Sequence, residues 1–152
     1  MILDLGFGIA DFALCGRVIA VRVSAMMTEK EYKERTKKVA LRMIRLVEAL
    51  PKTRSADVIG HQLLRSGTVI GANYRAACRG LSRADMIAKL GHVEEESDES
   101  LYWMELLIEA GLVPEQRLRE LFEEVDEILA MTVASIRTLR QRNPKSQIGD
   151  LK

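Results

Sequence analysis

The stretch TEKEYKERTKKVALRMIRLVEALP, residues Thr28–Pro51, decides the fold class. Thr28 followed by Glu31 is a capping box, in which hydroxyl and carboxylate each satisfy a free backbone N–H at a helix start. The apolar positions Tyr32, Val39, Met43, Leu46 and Leu50, with Thr36 filling the gap, recur at alternating steps of four and three. That spacing places them on one helical stripe. Leu50-Pro51 ends the helix, because the residue before a proline is pushed out of the helical region.

The same reading extends outward through three more helices. Ser55 is the expected cap of the second, whose stripe is Ile59, Leu63, Ser66, Ile70, Asn73 and Ala77, with Gly80 as its stop. Ser82 with Asp85 opens a third helix carrying Met86, Leu90, Val93, Ser97, Leu101, Met104 and Ile108, which ends near Gly111. Pro114 fits the first turn of the fourth, where its missing N–H costs nothing. Leu118, Leu121, Val125, Ile128, Val133, Ile136 and Leu139 form that stripe, and Asn143-Pro144 closes it. No strand-like alternation interrupts the pattern. Short connections favour consecutive antiparallel neighbours, so the expected fold is all-α, an up-down-up-down four-helix bundle over residues 28–143 with a tail over 144–152.

Composition agrees with one soluble globular domain: of 152 residues, 47% are apolar, 30% charged and 5% aromatic, and only 3 are proline. Cys15 and Cys78 form no CxxC pair and no metal-like spacing, which points to reduced thiols in a cytoplasmic protein. Residues 1–27 are apolar but interrupted by Asp4, Asp11 and Arg17. A membrane-spanning helix wants about 20 mostly apolar residues, and a secretory signal wants its basic residues first. The segment is therefore read as an extension outside the domain, with translation starting near Met26 or Met27. An extra packing segment and a membrane-surface anchor are the alternatives.

The net charge of +1 hides a strong segregation. The first helix is basic, the stretch from Glu94 to Glu127 is strongly acidic, and the chain turns basic again at Arg137, Arg140, Arg142 and Lys145. Arg35, Lys38, Arg42 and Arg45 form a stripe beside the apolar face of the first helix, and Arg75 and Arg79 add to it from the second. Such a stripe can track phosphates. It can equally be a solvated face, or pair with acidic helices of the same or a neighbouring subunit. No aromatic residues interleave with the cations, which disfavours a stacking platform for single-stranded bases.

Other candidates carry less chemistry. His92-x-x-Glu95 puts two metal-ligand types on one face, but a bundle di-metal site takes Glu-x-x-His elements, and the chain has none, so no metal or other cofactor is expected. The run Glu94–Glu99 lacks a defined catalytic partner. Glu94 is expected to meet Arg65 or Arg75 as an inward salt bridge that fixes register. Gly67-x-x-x-Gly71 follows no strand and precedes no Gly-Lys-Ser/Thr, so it is not a phosphate loop. It reads as a close helix crossing, within or between subunits. Cys78 reads as a small core residue, and Trp103, next to Tyr102, as core or subunit interface.

Leu50-Pro51-Lys52, the run Gln62–Ala77 with its Arg-Ser-Gly…Gly-Ala-Asn-Tyr-Arg string, Ser82–Leu90, the Glu94–Glu99 acidic run and Tyr102-Trp103-Met104-Glu105-Leu106-Leu107 together resemble the four-helix-bundle family of 23S rRNA intervening sequences. The resemblance spans roughly Glu31 to Arg140. It implies a bundle that associates into a ring, typically a homopentamer, with Gly67, Gly71, Asn73, Tyr74 and Trp103 in helix or subunit packing. It also implies kinship with the accessory variability determinant of diversity-generating retroelements, a basic nucleic-acid-binding pentamer that partners a reverse transcriptase. Residues 1–27 depart from the family pattern, and the acidity of the last two helices departs from a simple basic pore.

Two functions follow as expectations. One is a non-enzymatic homo-oligomer that contacts RNA or DNA phosphates through Arg35, Lys38, Arg42 and Arg45 of the first helix, with Arg75, Arg79 and the Arg137–Arg142 end, without reading bases. The other is an oligomeric scaffold or protein-interaction module whose basic and acidic helices mainly satisfy each other across subunits. A hydrolase or metal enzyme stands well behind both, and no membrane partner is expected.

Overall fold

A computed structural model describes residues 27–141, and within them the chain is all-α: four helices and no strand. They are α1 (Glu29–Glu48), α2 (Arg54–Cys78), α3 (Arg83–Glu109) and α4 (Glu115–Gln141). The expected closure of α4 at Asn143-Pro144, the tail and all of the N-terminal extension except Met27 lie outside the described residues. Met27 packs against the core.

Local chemistry sets the helix starts. At α1 the Glu31 N–H donates to Thr28 Oγ1 (3.2 Å) while the Thr28 N–H donates to Glu31 Oε2 (2.7 Å), the reciprocal capping box. The cap of α2 is Thr53, whose Oγ1 accepts from the Ala56 N–H at 3.3 Å. Ser55 instead lies within the first turn, so the cap stands two residues earlier than expected; both are hydroxyl residues, and spacing alone does not separate them. Ser82 caps α3 by accepting from the Asp85 N–H (3.1 Å), and the Asp85 carboxylate accepts from the Leu81 N–H (3.0 Å). After α3 the chain reverses at Gly111, whose φ of +69° an L side chain adopts only under strain.

The apolar stripes meet in one core built around Val39, Met43, Leu63, Ile70, Val93, Met104, Val125 and Ile128, all fully buried. A smaller cluster of Ala77, Leu90 and Ile136, flanked by Tyr74, Met86 and Leu139, closes one end. On α4 the buried face runs through Met131 and Thr132, while Val133 is only half-buried. From Ile128 the stripe continues by steps of three and four, and Val133 is five residues on. Polar groups inside the bundle are paired. Ser100 Oγ donates to Ser66 Oγ at 2.8 Å between α3 and α2, and Tyr32 Oη meets Thr132 Oγ1 at 2.5 Å between α1 and α4. Among the described residues no buried side-chain polar atom lacks a partner.

The glycines of α2 set the tightest approach. A Cβ on Gly67 would stand 2.6 Å from Met43 Cγ, one on Gly60 would stand 2.8 Å from Leu50 Cδ1, and one on Gly71 would stand 3.2 Å from Thr36 Oγ1. All three face α1, so the close crossing read from Gly67 and Gly71 lies within the subunit, and Gly60 extends it by a further seven residues. By contrast, α1 and α4 approach each other least of the neighbouring pairs.

Gly67→Ala is expected to destabilise the protein by about 1–3 kcal/mol, because Met43 is fully buried and must leave its packing. Gly91→Ala, where nothing lies within 4 Å of the added Cβ, is expected to stabilise by about 0.5–1 kcal/mol through helix propensity. Urea unfolding of the two variants checks both signs.

Candidate nucleic-acid interface

The six cations singled out by sequence fall on two flanks of α1. Thr36 and Met43 turn toward the glycines of α2, and the stripe Arg35–Lys38–Arg42–Arg45 turns the other way, toward α4. Arg35 lies across that seam. Its Nε donates to Glu124 Oε1 at 2.7 Å, and its Nη2 donates to Glu124 Oε2 at 2.8 Å and to Glu127 Oε2 at 2.6 Å. The Glu124 carboxylate, with Glu127, holds the guanidinium above its ordinary value against the effect of burial. Arg42 reaches the exposed Glu120 at 3.6 Å. Lys38 and Arg45 are exposed and form no ion pair among the described residues.

Arg75 and Arg79 project from α2 beside the opposite flank of α1. Tyr74 stacks on Tyr32 with ring centroids 3.9 Å apart and an interplanar angle of 23°, and Cys78 lies against Glu29. Arg75 and Arg79, one residue beyond each, therefore stand level with the first turns of α1, where Lys30 and Lys37 are exposed. The Tyr32–Thr132 contact and the Ala77–Leu90–Ile136 cluster bring the last turns of α4 to the same end, with Arg137 and Arg140 exposed there.

Three acids at this end already have partners, while Glu34, exposed between Lys30 and Lys37, has none among the described residues. Glu29 pairs with Lys33, Glu31 caps Thr28, and Asp85 Oδ2 accepts from Lys89 Nζ at 2.5 Å and from the Leu81 N–H. Partnership holds the carboxyls of Glu29, Glu31 and Asp85 below the usual range, through Lys33, Thr28 and Lys89 respectively. Lys30, Lys37, Arg75, Arg79, Arg137 and Arg140 form no ion pair among the described residues. One end of the bundle is thus a ring of uncompensated cations around an apolar plug.

The remaining expected residues take less prominent places. Gly67 and Gly71 line the α1–α2 crossing and Asn73 is half-buried on α2. Trp103 packs on the core from a half-buried position, and its Nε1–H donates to Glu99 Oε1 at 2.9 Å. Arg65, in turn, binds Glu96 and Glu99, which replaces the expected inward bridge to Glu94: Arg65 points outward, and the level of Ser66 against Ser100 sets it beside Glu96 and Glu99. Cys78 is half-buried at the bundle's edge rather than in the core, and burial pushes its thiol up. His92 Nδ1 lies 3.3 Å from Glu95 Oε2 on an exposed face, and no group of three potential metal ligands is brought together among the described residues. Gly60, Arg117 and the α4 partners of Arg35 were not singled out by sequence. Gly60 was detectable, seven residues before Gly67 on the same helical face; the others needed the α1–α4 register.

Four packed helices with one charged end define an all-α bundle. The chain belongs to the family of 23S rRNA-intervening sequence proteins, whose pattern matches residues 28–134. It is similar to a crystallised protein of unknown function from the S23 ribosomal protein family of Bacteroides thetaiotaomicron. The two share 33% identity with a TM-score of 0.68, over 73% of this chain and 99% of that one. None of the curated proteins matches the chain. Among the described residues no helix is long and apolar enough to cross a membrane.

The Tyr32–Tyr74 stack at the basic end also makes stability pH-dependent. Burial pushes the Tyr32 hydroxyl up to about 12, against its hydrogen bond to Thr132, and burial raises Tyr74 as well. A group whose folded pKa lies above its unfolded value contributes stability in full below the unfolded value, about 10, and loses it as pH rises toward the folded one. The urea midpoint is therefore expected to fall between about pH 10 and 12, and a Tyr32→Phe/Tyr74→Phe variant is expected to lose most of that slope.

Proposed function

We propose that this protein is a non-enzymatic homo-oligomer of antiparallel up-down-up-down bundles that holds RNA or DNA by its phosphates. The observation that carries the reading is the basic end: Lys30, Lys37, Arg75, Arg79, Arg137 and Arg140 are exposed around one end of the bundle, where Glu29, Glu31 and Asp85 are engaged elsewhere and Glu34 offsets a single charge. Uncompensated cations at that density attract a polyanion and release its counterions on binding. No aromatic ring is exposed among them, since Tyr32 and Tyr74 stack inward, so contact is with the backbone rather than with unstacked bases. Arg35 and Arg42 face the glutamates of α4, which moves the phosphate-contacting role away from the α1 stripe and onto Arg75 and Arg79.

The family gives this reading its direction, since its name ties these proteins to intervening sequences of 23S rRNA. Opposed contact order, with Thr36 at Gly71 but Leu50 at Gly60, supports antiparallel helices. Ring assembly, a homopentamer by resemblance, would multiply the basic ends into one surface and raise avidity. A cytoplasmic location and a reverse-transcriptase partner belong to the same proposal, resting on the resemblance alone. The reading against it is a scaffold without nucleic acid, favoured by the Arg35–Glu124–Glu127 pairing, which shows basic and acidic helices neutralising each other.

Fluorescence anisotropy of a labelled structured RNA and a labelled DNA duplex tests the proposal across a salt series. The dissociation constant is expected to rise log-linearly with salt, and Arg75→Glu/Arg79→Glu is expected to weaken binding at least about tenfold with a shallower slope. No binding to either probe at low salt would leave the scaffold reading in its place.

A further inference from the structure

A second charged feature lies at the opposite end and on different residues. Where α1 and α4 diverge, next to the α3–α4 turn, they leave a cleft of about 330 Å³. Arg42, Arg45 and Arg117 rim it, and Leu46, Leu50 and Leu121 form its floor. Arg45 and Arg117 are exposed without an ion pair among the described residues, and Arg42 has only the 3.6 Å contact to Glu120. Three like charges around an apolar floor suit an occupant that is both acidic and apolar.

The chain carries such a surface. On α3, Asp98, Tyr102, Glu105 and Glu109 follow one another at steps of four, three and four, and all are exposed. They form an outward ridge of three carboxylates around one aromatic ring. Asp98, Glu105 and Glu109 form no ion pair among the described residues. Tyr102, 51% exposed, packs edge-on against Trp103 at a centroid distance of 5.0 Å, and Trp103 is held through Glu99 by Arg65. The ring is thus a pre-ordered anchor, the kind of side chain that dominates interface energies.

We infer that the acidic α3 ridge of one copy docks into the arginine-rimmed α1–α4 cleft of the next, with Tyr102 on the leucine floor and Glu105 and Glu109 meeting Arg45 and Arg117. The inference rests on the self-association proposed above and assigns its two faces. Cleft and ridge are different surfaces, so the contact is heterologous, head to tail. Both lie toward the α3–α4 turn, at one level of the bundle. A heterologous contact closes a ring where the rotation between successive copies divides a full turn, and grows a filament where it does not. This interface leaves Arg75, Arg79 and the basic end free.

Native mass spectrometry of the full chain, with circular dichroism to confirm folding, tests this through two surface variants. Arg45→Glu/Arg117→Glu and Glu105→Arg/Glu109→Arg each break one face, and each is expected to be monomeric where the unaltered protein is oligomeric. Combined in one chain, the four substitutions restore complementary charge at every contact of a ring of any size, and that variant is expected to reassemble. Tyr102→Ala is expected to weaken assembly at least about tenfold without altering the fold. An oligomeric unaltered protein whose charge variants keep the same assembly, or whose four-substitution variant stays monomeric, would overturn this interface and leave self-association standing. A monomeric unaltered protein would overturn both.

Discussion

The close approach of α2 to α1 is the constraint on which the other features depend. Gly60, Gly67 and Gly71 have no Cβ where Leu50, Met43 and Thr36 press closest, and adding one places atoms within van der Waals distance of a buried side chain. With that flank of α1 committed to α2, helical geometry turns Arg35, Lys38, Arg42 and Arg45 to the other side. The opposite seam, against α4, is looser and is bridged by charge, with Arg35 forked onto Glu124 and Glu127. One helix thus has a side packed by shape and a side held by electrostatics, and the cleft opens on the second.

Charge segregation along the chain becomes segregation by end and by face. A net charge of +1 predicts little, because the folded molecule separates its signs. Lys30, Arg75, Arg79 and Arg137 collect where Ala77, Leu90 and Ile136 close the bundle. Asp98, Glu105 and Glu109 collect on α3 toward the other end. Local acids neutralise Lys33 and Lys89 through one-turn pairs, which are weak at a solvent-exposed helix surface. Arg35 differs, since three charge-assisted bonds to two carboxylates at a partly buried seam also fix how α4 lies on α1.

The helices were legible because each stripe repeats over many turns and each start carries a hydroxyl or proline signal. Thr28 with Glu31 and Ser82 with Asp85 marked starts that the hydrogen bonds bear out. Errors were local, where neighbouring residues offer equivalent chemistry: Thr53 against Ser55 as a cap, Met131–Thr132 against Val133 as the buried step. The candidate site was less legible. Helical periodicity assigns Arg35 to a flank but cannot say which helix covers that flank, so the stripe looked continuous with Arg75 and Arg79 when the fold puts α1 between them. Arg65 shows the same limit: its partners, Glu96 and Glu99, lie two and five residues beyond Glu94 on the same helix, and only the level of Ser66 against Ser100 decides. The basic end required knowing that α4 finishes beside α1, a fact carried by Tyr32 and Thr132, one hundred residues apart.

Under the proposed function, nucleic acid meets the cationic end of the bundle and no other surface. Ultraviolet crosslinking of the intact protein to a 4-thiouridine-containing RNA, followed by mapping of the crosslinked peptides, tests it most directly. The account predicts crosslinks in the segments that carry Lys30, Arg75, Arg79 and Arg137, and none around Glu105–Glu123. Crosslinks concentrated at Arg45 and Arg117, or an absence of specific crosslinks, would contradict it.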